Sequence, residues 1–415
     1  MKDTKTHAEP PVLTERHAHV GMLTLNRPAS LNALNLETIR LFSATLKAWS
    51  RDDSIKAVVV RGAGRTGKTP AFCAGGDIRF QHRAALAQDP DLGMFFDEEY
   101  ALNHLIHRYP KPYVALMDGI VMGGGMGLSQ RASVRIVTEH STLAMPETKI
   151  GLFPDVGGGW FLSRCPGRIG EYLAVTGQSI NAADAIMSGL ADRLVPSSAL
   201  EALTSALLQA RSADEMVALV DDSSIAAGPS QLGAMQPEID EHFGRASMLA
   251  IVVSLSKGAG PFARQALESI RQNSPLMMSI ALEQVRRARG MTFAEELRAE
   301  RALVHNCFHL RPGASSEAVE GIRALVVDKD RSPQWNSSHS SISVTPGRLS
   351  SWWTAPKSGA NWWLDRATGG RYSRASSSSS VSPSTTAQST PATRASETYL
   401  PTALLEILSA RPTSQ

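Results

Sequence analysis

The sequence predicts an α/β core followed by a region of packed helices. In the first half of the chain, short and continuously apolar runs alternate with segments whose apolar residues recur at helical spacing. Strands that are buried on both faces and joined by helices produce this pattern, and such strands pair in parallel. From about residue 205 to about residue 330 the chain looks mainly helical, and beyond Trp335 it becomes rich in serine. We therefore predict four parts: a flexible N-terminus (1–11), the α/β core (12–205), a helical domain (206–335) and a low-complexity tail (336–415).

The first predicted elements are a strand at Val20–Leu25 and a helix at about Leu36–Ser50. The strand ends at Asn26-Arg27-Pro28, because proline lacks a backbone donor and disfavours helix in the residue before it. Asn35 can cap the helix that follows. One face of this helix is apolar and is formed by Ile39, Phe42, Leu46 and Trp49.

Further buried strands are predicted where three apolar runs occur, at Ala57–Val60, Tyr113–Met117 and Val134–Val137. Between the second and third of these runs, the glycines indicate a turn at Gly119–Gly125. We predict that a helix starts within Met126–Arg131.

The helical domain and the tail differ sharply in composition. Phe293–Cys307 contains good helix formers and a buried side formed by Phe293, Leu297, Leu303 and Val304. The tail contains five consecutive serines, Ser376–Ser380, and such sequence cannot bury enough area to offset its ordering entropy. We expect most of residues 337–392 to be disordered and Ser396–Ala410 to form a short helix. Either a frameshift or a genuine extension explains this ending.

Composition excludes several classes of function. The chain has 42 Lys and Arg against 39 Asp and Glu, a net charge of +3 that gives no reason to expect nucleic-acid binding. Its three cysteines (Cys73, Cys165 and Cys307) are too dispersed for a disulfide framework or a metal site. No apolar run approaches the roughly 20 residues that span a bilayer. Met1–Pro11 is polar and contains no arginine, so neither a secretory signal nor a mitochondrial transit peptide is expected. We predict a cytoplasmic protein that binds no metal.

Two glycine-rich segments are candidates for binding a ligand through the backbone. Ala71–Asp77 contains adjacent glycines, which let a ligand approach an amide closely but also occur in ordinary tight turns. Met122–Gly127 lies between a predicted strand and a predicted helix, where unpaired amides suit a developing oxyanion. The second segment lacks the Lys and Ser/Thr of a nucleotide-binding P-loop and the spacing of a dinucleotide site.

A third segment, Met145–Gly159, holds two carboxylates eight residues apart, Glu147 and Asp155. Carboxylates among apolar, glycine and proline residues are either desolvated and tuned for chemistry or paired at a surface. Asp155 also suits the N-cap of a helix that begins nearby.

Taken in order, these segments resemble the crotonase superfamily. The matching motifs are NRP…LNAL, FCAGGD, GGGxGLS and MPET…GLFPDVGG, and the resemblance covers about residues 12–335. The strings GLFPDVGGG and PGRIGEYLAVTG resemble the 3-hydroxyisobutyryl-CoA hydrolase branch. The resemblance implies a crotonase-like ββα spiral core and a function on acyl-CoA thioesters with no cofactor beyond the CoA of the substrate. It also implies that the amides of Gly76 and Gly124 form an oxyanion hole.

The resemblance further implies which carboxylates act. Hydratases of the superfamily use two glutamates; the place of the first is Gly127 here, and the second matches Glu147. Hydratases usually carry glycine where this chain has Asp155, so the pattern favours hydrolysis of a hydroxyacyl-CoA, with 3-hydroxyisobutyryl-CoA the expected substrate in valine catabolism. Glu147 and Asp155 match the catalytic pair. Glu99, Gly124, Glu147 and Asp155 match substrate-binding positions, although a charged helix face explains Glu99 equally well.

Several alternatives stay open from the sequence. One alternative is an enoyl-CoA isomerase- or hydratase-type activity on the same scaffold: an isomerase can work with one glutamate at the place of Glu147, but Asp155 argues against it. Another is a catalytically silent CoA-binding protein, and the presence of every expected carboxylate counts against it. Glu147 either activates a water or attacks the thioester directly. Arg79 is either a contact for a CoA phosphate or a solvated arginine. The resemblance implies a possible trimer or hexamer through the C-terminal helices.

Overall fold

The computed structural model describes residues 9–64, 67–336 and 350–353, and nine strands occur within these ranges. In chain order the strands are β1 (Val12–His17), β2 (Val20–Leu25), β3 (Ala57–Gly62), β4 (Ala71–Cys73), β5 (Tyr113–Met117), β6 (Ile120–Met122), β7 (Val134–Val137), β8 (Thr142–Ala144) and β9 (Arg193–Leu194). The larger sheet has the order β1-β2-β3-β5-β7-β9, and the smaller has the order β4-β6-β8. Only the β1–β2 pair among these neighbours is antiparallel, so most strands are joined by crossovers.

Helices connect the strands and form the second half of the described chain. In chain order they are α1 (Leu36–Ser50), α2 (Ile78–Ala87), α3 (Asp91–His107), α4 (Gly124–Ser129), α5 (Gly158–Leu162), α6 (Ile169–Thr176), α7 (Ala182–Met187), α8 (Leu200–Leu207), α9 (Ala213–Ser223), α10 (Gln231–Phe243), α11 (Met248–Lys257), α12 (Pro261–Gln272), α13 (Pro275–Ala288), α14 (Phe293–His309) and α15 (Glu317–Ile322). A π-helical turn, Arg323–Val327, continues α15. Short 3₁₀ turns lie at Pro28–Ser30, Glu147–Ile150, Ser197–Ala199, Gly313–Ser315 and Ser350–Trp353.

The first predicted strand and helix are confirmed. β2 and α1 have the predicted bounds, and the side chain of Asn35 accepts a hydrogen bond of 2.8 Å from the backbone N–H of Thr38. The predicted apolar face of α1 is buried. Its Trp49 ring packs on Gly21 of β2 so closely that a Cβ atom at Gly21 would collide with it. Packing between the helix and the sheet therefore begins where the sequence pattern predicted it.

The prediction for the segment between β5 and α4 was partly wrong. The expected turn at Gly119–Gly125 contains β6, and α4 begins at Gly124 rather than within Met126–Arg131. β6 lies between β4 and β8 and hydrogen-bonds to both. This pairing holds the backbone in an extended conformation, although the glycines of the segment alone predict a turn. The consequence is functional, because an earlier helix start brings the amide of Gly124 to a helix N-terminus.

The smaller sheet brings the three sequence motifs to one edge. Its strands run parallel, so their carboxyl ends lie at the same edge. Gly75 and Gly76 follow β4, Gly123 and Gly124 follow β6, and Glu147 follows β8. Ligand sites in parallel sheets lie at this end of the strands. Leu34 pairs with Gly76 and joins the loop before α1 to the same edge.

The helical half packs directly on this core. α13 packs against α5 and α6, and α14 packs against α3. α14 confirms the predicted helix at Phe293–Cys307 and its buried side. The described residues fall within one compact unit that extends to Pro356, and the predicted boundary near residue 205 stays a prediction. No helix in the described ranges is both long enough and apolar enough to cross a membrane.

Part of the predicted tail is described and contacts α14. The Nδ2 atom of Asn306 donates a hydrogen bond of 3.0 Å to the carbonyl oxygen of Trp352. The guanidinium of Arg287 lies 4.5 Å from the ring centroid of Trp353. The remainder of the predicted tail, including the helix predicted at Ser396–Ala410, lies outside the described residues, as do residues 1–8 of the predicted flexible N-terminus.

Candidate active site

Two glycine loops meet at the edge of the smaller sheet. Gly75 has a φ of +97°, and a Cβ atom there would lie 3.2 Å from the carbonyl oxygen of Met122 and 3.4 Å from the nitrogen of Gly124. Gly123 has a φ of +49° and forms the N-cap of α4 without a side-chain hydrogen bond. Both loops therefore need glycine for conformation, and Gly75 needs it also for space.

The two amides predicted to form an oxyanion hole lie on these touching loops. Gly75 accepts a hydrogen bond from the Leu34 N–H, and Asp77 donates one to the Leu34 carbonyl, both of 2.8 Å. This pairing skips the N–H of Gly76 between them. Gly124 is the first residue of α4, where the N–H has no partner within the helix. Within the described residues, neither N–H donates to a protein acceptor, so both are available to a ligand oxygen.

Two buried carboxylates face the start of α4. Glu147 begins the 3₁₀ turn after β8, and its Oε1 lies 2.9 Å from the Cβ position of Gly123. Glu99 lies on α3, and its Oε1 is 2.5 Å from the Cβ position of Gly124. Glu99 is only 2% exposed, so the alternative of a charged, solvated helix face is wrong. One oxygen of each carboxylate, Oε1 of Glu99 and Oε2 of Glu147, has no hydrogen-bond partner in the described ranges.

Asp155 completes the group and is held by a tyrosine. The hydroxyl of Tyr100 donates a hydrogen bond of 2.9 Å to Oδ2 of Asp155. The alternative role of Asp155 as a helix N-cap is wrong, because Gly157 occupies the N-cap of α5 and no side chain caps that helix. Tyr100 follows Glu99 on α3, so a single helix supports the carboxylates from two different loops.

Burial and mutual repulsion raise the pKa values of these carboxyl groups. Burial, and then the charges of Asp155 and Glu147, raise the pKa of Glu99 well above its usual value. Burial and the charge of Asp155 do the same to the pKa of Glu147. Burial raises the pKa of Asp155 to about 6, although the hydrogen bond from Tyr100 lowers it. Neighbouring carboxylates that resist joint ionisation form an acid–base system with both a proton and a charge near neutral pH.

A second pair of buried carboxyl groups holds the loop that carries Asp155. Glu300 on α14 accepts two hydrogen bonds from the N–H of Gly157, of 2.9 and 3.1 Å. Gln284 on α13 donates to the carbonyl oxygen of Pro154 at 2.8 Å, to Glu296 at 2.9 Å and to Glu300 at 3.1 Å. We call Gln284, Glu296 and Glu300 the loop clamp. Through it, the helical half of the chain fixes the position of Asp155.

The two glutamates of the loop clamp also have raised pKa values. Burial raises the pKa of Glu296 to about 7. Burial, and then the adjacent charge of Glu296, raise the pKa of Glu300 well above its usual value. The two carboxyl groups interact closely, and a proton on either one lets it donate a hydrogen bond to the other.

Five residues at the site were predicted from the sequence, and five that support or adjoin it were not. The structure brings Gly76, Gly124, Glu99, Glu147 and Asp155 to one edge, and their predicted catalytic and binding roles stay predictions. The missed residues are Tyr100, Asn103, Gln284, Glu296 and Glu300. Two carboxylates at i and i+4 on α14 were a visible signal, because one helix face then carries two acids. Arg79 lies exposed on α2. No group of three or more metal-binding side chains occurs in the part of the chain that is described.

Known proteins are similar to this chain over most of its length. A family model described as "Enoyl-CoA hydratase/isomerase" matches residues 20–347. Among curated proteins, the "3-hydroxyisobutyryl-CoA hydrolase, mitochondrial" of Danio rerio is 39% identical over 345 residues, which cover 81% of this chain and 87% of that protein. The protein of the same name from Homo sapiens is 40% identical over 337 residues, which cover 80% and 85%.

Two solved structures resemble the fold over a similar share of this chain. A structure titled as a carnitinyl-CoA dehydratase from Mycobacterium thermoresistibile has a TM-score of 0.75 at 36% identity and covers 84% of this chain and 98% of its own. An enoyl-CoA hydratase structure from Rhodobacter sphaeroides 2.4.1 has a TM-score of 0.74 at 36% identity and covers 83% and 97%. The likeness therefore includes the α/β core and most of the helices that follow.

Proposed function

Because the chain belongs to the enoyl-CoA hydratase/isomerase family, we propose that it hydrolyses the thioester of a hydroxyacyl-CoA, with 3-hydroxyisobutyryl-CoA as the substrate. The predicted crotonase-like fold is confirmed by the solved structures that it resembles. The choice of hydrolysis within the family is supported by the curated hydrolases that are about 40% identical to this chain.

The observation that carries the proposal is the placement of two free amides beside a buried carboxylate pair. The N–H groups of Gly76 and Gly124 donate hydrogen bonds to the thioester oxygen as it gains negative charge. Oriented donors of this kind lower the barrier by about 3–4 kcal/mol each. Glu147 and Asp155 supply the acid–base chemistry. Gly127 has no side chain, so the face of α4 contributes no second carboxylate of the kind that hydration of a double bond needs.

Glu147 is the group that we propose to begin the reaction. Its Oε1 lies beside Gly123, next to the amide that binds the thioester oxygen. Asp155 already accepts a hydrogen bond from Tyr100, and it orients the water or the substrate. In one route Glu147 takes a proton from water, whose oxygen bonds to the carbonyl carbon; in the other, a Glu147 oxygen forms that bond and makes an anhydride that water then cleaves. In both routes the carbon–sulfur bond breaks, and the CoA thiolate leaves and takes up a proton.

The proposed activity is tested by measuring thiol release from 3-hydroxyisobutyryl-CoA with a thiol-reactive chromophore. We expect the wild-type chain to release CoA and E147Q to lose about 10²–10⁴-fold in kcat, because general acid–base catalysis contributes that much. E268Q, a change at an exposed glutamate on α12, is the matched control and keeps full activity. If the wild-type chain releases no thiol, or if E147Q releases it at the wild-type rate, the proposal is wrong.

Isotope labelling separates the two routes. In a single turnover in water enriched in oxygen-18, direct attack places label in the Glu147 side chain when water cleaves the anhydride at the glutamyl carbon. Activation of water places label only in the released acid. Mass spectrometry of the peptide that contains Glu147 distinguishes the outcomes.

The cytoplasm and a trimer or hexamer remain our proposals for location and assembly. All three cysteines are buried free thiols, which is consistent with a reducing compartment. The names of the curated relatives include the word mitochondrial. Cell fractionation followed by sedimentation of the purified chain tests both points.

A further inference from the structure

Asn103 is a buried amide without a partner beside the proposed active site. It lies on α3 with none of its side chain exposed. Neither its Nδ2 nor its Oδ1 makes a hydrogen bond to any described part of the chain. Buried side-chain amides are normally satisfied, because an unpaired polar group costs free energy. A molecule outside the protein is therefore expected to bind there.

The position of Asn103 follows from the spacing on α3. Asn103 is four residues after Glu99, and residues at this spacing lie on the same helix face. Both side chains face α4: Glu99 reaches Gly124, and the Nδ2 of Asn103 lies 2.8 Å from the Cβ position of Gly127. Gly127 is three residues beyond Gly124, about 4.5 Å further along the helix axis. The Asn103 amide is thus one helical turn deeper than the amide that binds the thioester oxygen.

This depth suits the acyl group of a short thioester. A thioester oxygen held by the amides of Gly76 and Gly124 places the first acyl carbons beside the first turn of α4. Gly127 has no side chain, and a Cβ atom there would lie 2.7 Å from Cβ of Val156 and 2.8 Å from Nδ2 of Asn103. Asn103 therefore packs directly against the turn of α4 that follows the Gly124 amide, next to the first acyl carbons.

A hydroxyl group on the acyl chain needs a hydrogen-bond donor at this depth, and ionised carboxylates do not provide one. A hydroxyl group both donates and accepts hydrogen bonds, whereas an ionised carboxylate only accepts them. Glu99, Glu147 and Asp155 supply acceptors, and the Tyr100 hydroxyl already donates to Asp155. The Nδ2 of Asn103 is the unpaired side-chain donor on this face of α3.

We propose that Asn103 determines specificity by donating from Nδ2 to the hydroxyl oxygen of the acyl group, whose own proton is donated to a neighbouring carboxylate. This inference rests on the proposed thioester hydrolysis. It accounts for a buried amide that the mechanism does not use, and it selects acyl groups that carry a hydroxyl. A group without the hydroxyl leaves the amide unpaired, which costs transition-state binding.

The test compares two substrates, 3-hydroxyisobutyryl-CoA and isobutyryl-CoA, which differ by one hydroxyl. Each is measured as kcat/KM by thiol release with the wild-type chain, N103L and N103S. We expect the wild-type preference for the hydroxylated substrate to fall about tenfold or more in N103L, with isobutyryl-CoA turnover little changed. N103S is smaller, keeps a donor and retains part of the preference. N306L makes the same chemical change in a buried asparagine of α14 and leaves the preference unchanged.

Each outcome decides a separate question. A wild-type chain that releases no CoA from either substrate contradicts the proposed function itself. A wild-type chain that hydrolyses both substrates equally contradicts recognition of the hydroxyl. If N103L slows both substrates by the same factor, Asn103 has only a structural role and the inference is overturned. Because the ratio is measured on one protein sample, a partly unfolded variant does not change its value.

Discussion

At the scale of single residues, the site depends on glycines, which have no side chain. The loops that carry Gly76 and Gly124 touch, and their glycines leave space for the oxygens of two carboxylates. A Cβ atom at Gly124 would come within 2.5 Å of Glu99 Oε1. This close approach is the physical reason that a carboxylate and an oxyanion-binding amide share so small a volume.

We predict that G124A loses about 10²-fold in kcat, because the added methyl group displaces either Glu99 or the helix start that aims the amide. Steady-state thiol release and circular dichroism are the measurements. G93A is the matched control, since a Cβ atom on this α3 glycine meets no atom within 4 Å. A G124A protein that folds and keeps full kcat contradicts the assigned role of the amide.

The carboxylate pair is expected to set the acidic limb of the pH profile. Burial raises the pKa of Asp155 to about 6, and burial and the Asp155 charge raise the pKa of Glu147 further above its usual value. Activity should fall as pH decreases, because a protonated pair can neither accept a proton nor attack. D155N removes a negative charge, lowers the pKa of Glu147 and moves this limb of kcat/KM to lower pH.

The tyrosine provides an opposite test of the same pair. In Y100F, Asp155 loses the hydrogen bond that lowers its pKa, so the acidic limb moves to higher pH. Profiles of kcat/KM between pH 5 and 8 compare the two variants with the wild-type chain. Shifts in the same direction for both variants are incompatible with this account.

At the scale of elements, the loop clamp connects the helical half to the chemistry. The N–H of Gly157 donates to Glu300 on α14, and Gln284 on α13 donates to the carbonyl oxygen of Pro154. The two helices therefore hydrogen-bond to the chain on both sides of Asp155. A core that lacked these helices would leave the Asp155 loop without its side-chain acceptors. The helices following residue 205 are thus part of the active site's support.

We predict that E300L reduces kcat by about tenfold to a hundredfold, because the N–H of Gly157 loses its acceptor and Asp155 moves. E300Q keeps an acceptor oxygen of the same shape and should retain most of the activity. Measured kcat and KM for both variants test this, with KM largely unchanged in a positioning role. Equal losses in E300L and E300Q would point to the charge of Glu300 rather than to its acceptor role.

The helices and strands also show which features can be predicted from local sequence. The strands β2, β3, β5 and β7, α1 with its Asn35 cap, and the buried side of α14 follow from periodicity and capping, which act within one segment. β6 was missed because its strand conformation comes from pairing with β4 and β8, not from its own three residues. The loop clamp was missed because Gly157 and Glu300 are 143 residues apart. Contacts of that range are invisible to local patterns. The edge that collects Gly76, Gly124 and Glu147 was not predicted either, because it is formed by β4, β6 and β8, which are short and depend on pairing with one another.

At the scale of the whole molecule, buried carboxyl groups link stability to pH. Glu99, Glu147 and Asp155 at the site and Glu296 and Glu300 in the loop clamp all have raised pKa values. An acid with a raised pKa binds its proton more tightly when folded, so folding is favoured at low pH. Its contribution to stability is lost as pH rises from the unfolded pKa towards the folded one. The groups that poise the site for chemistry therefore weaken the fold near neutral pH.

We predict that the free energy of unfolding falls between pH 5 and 8 in the wild-type chain and falls less in E296Q. Burial raises the pKa of Glu296 from 4.5 to about 7, which corresponds to a loss on the order of 3 kcal/mol across that window. Glutamine keeps the acceptor oxygen for Gln284, and its amide group can donate to Glu300 without a titratable proton. Urea unfolding at several pH values measures the effect, with E268Q as the exposed control. Parallel curves for E296Q and the wild-type chain would show that the loop clamp does not carry the pH dependence.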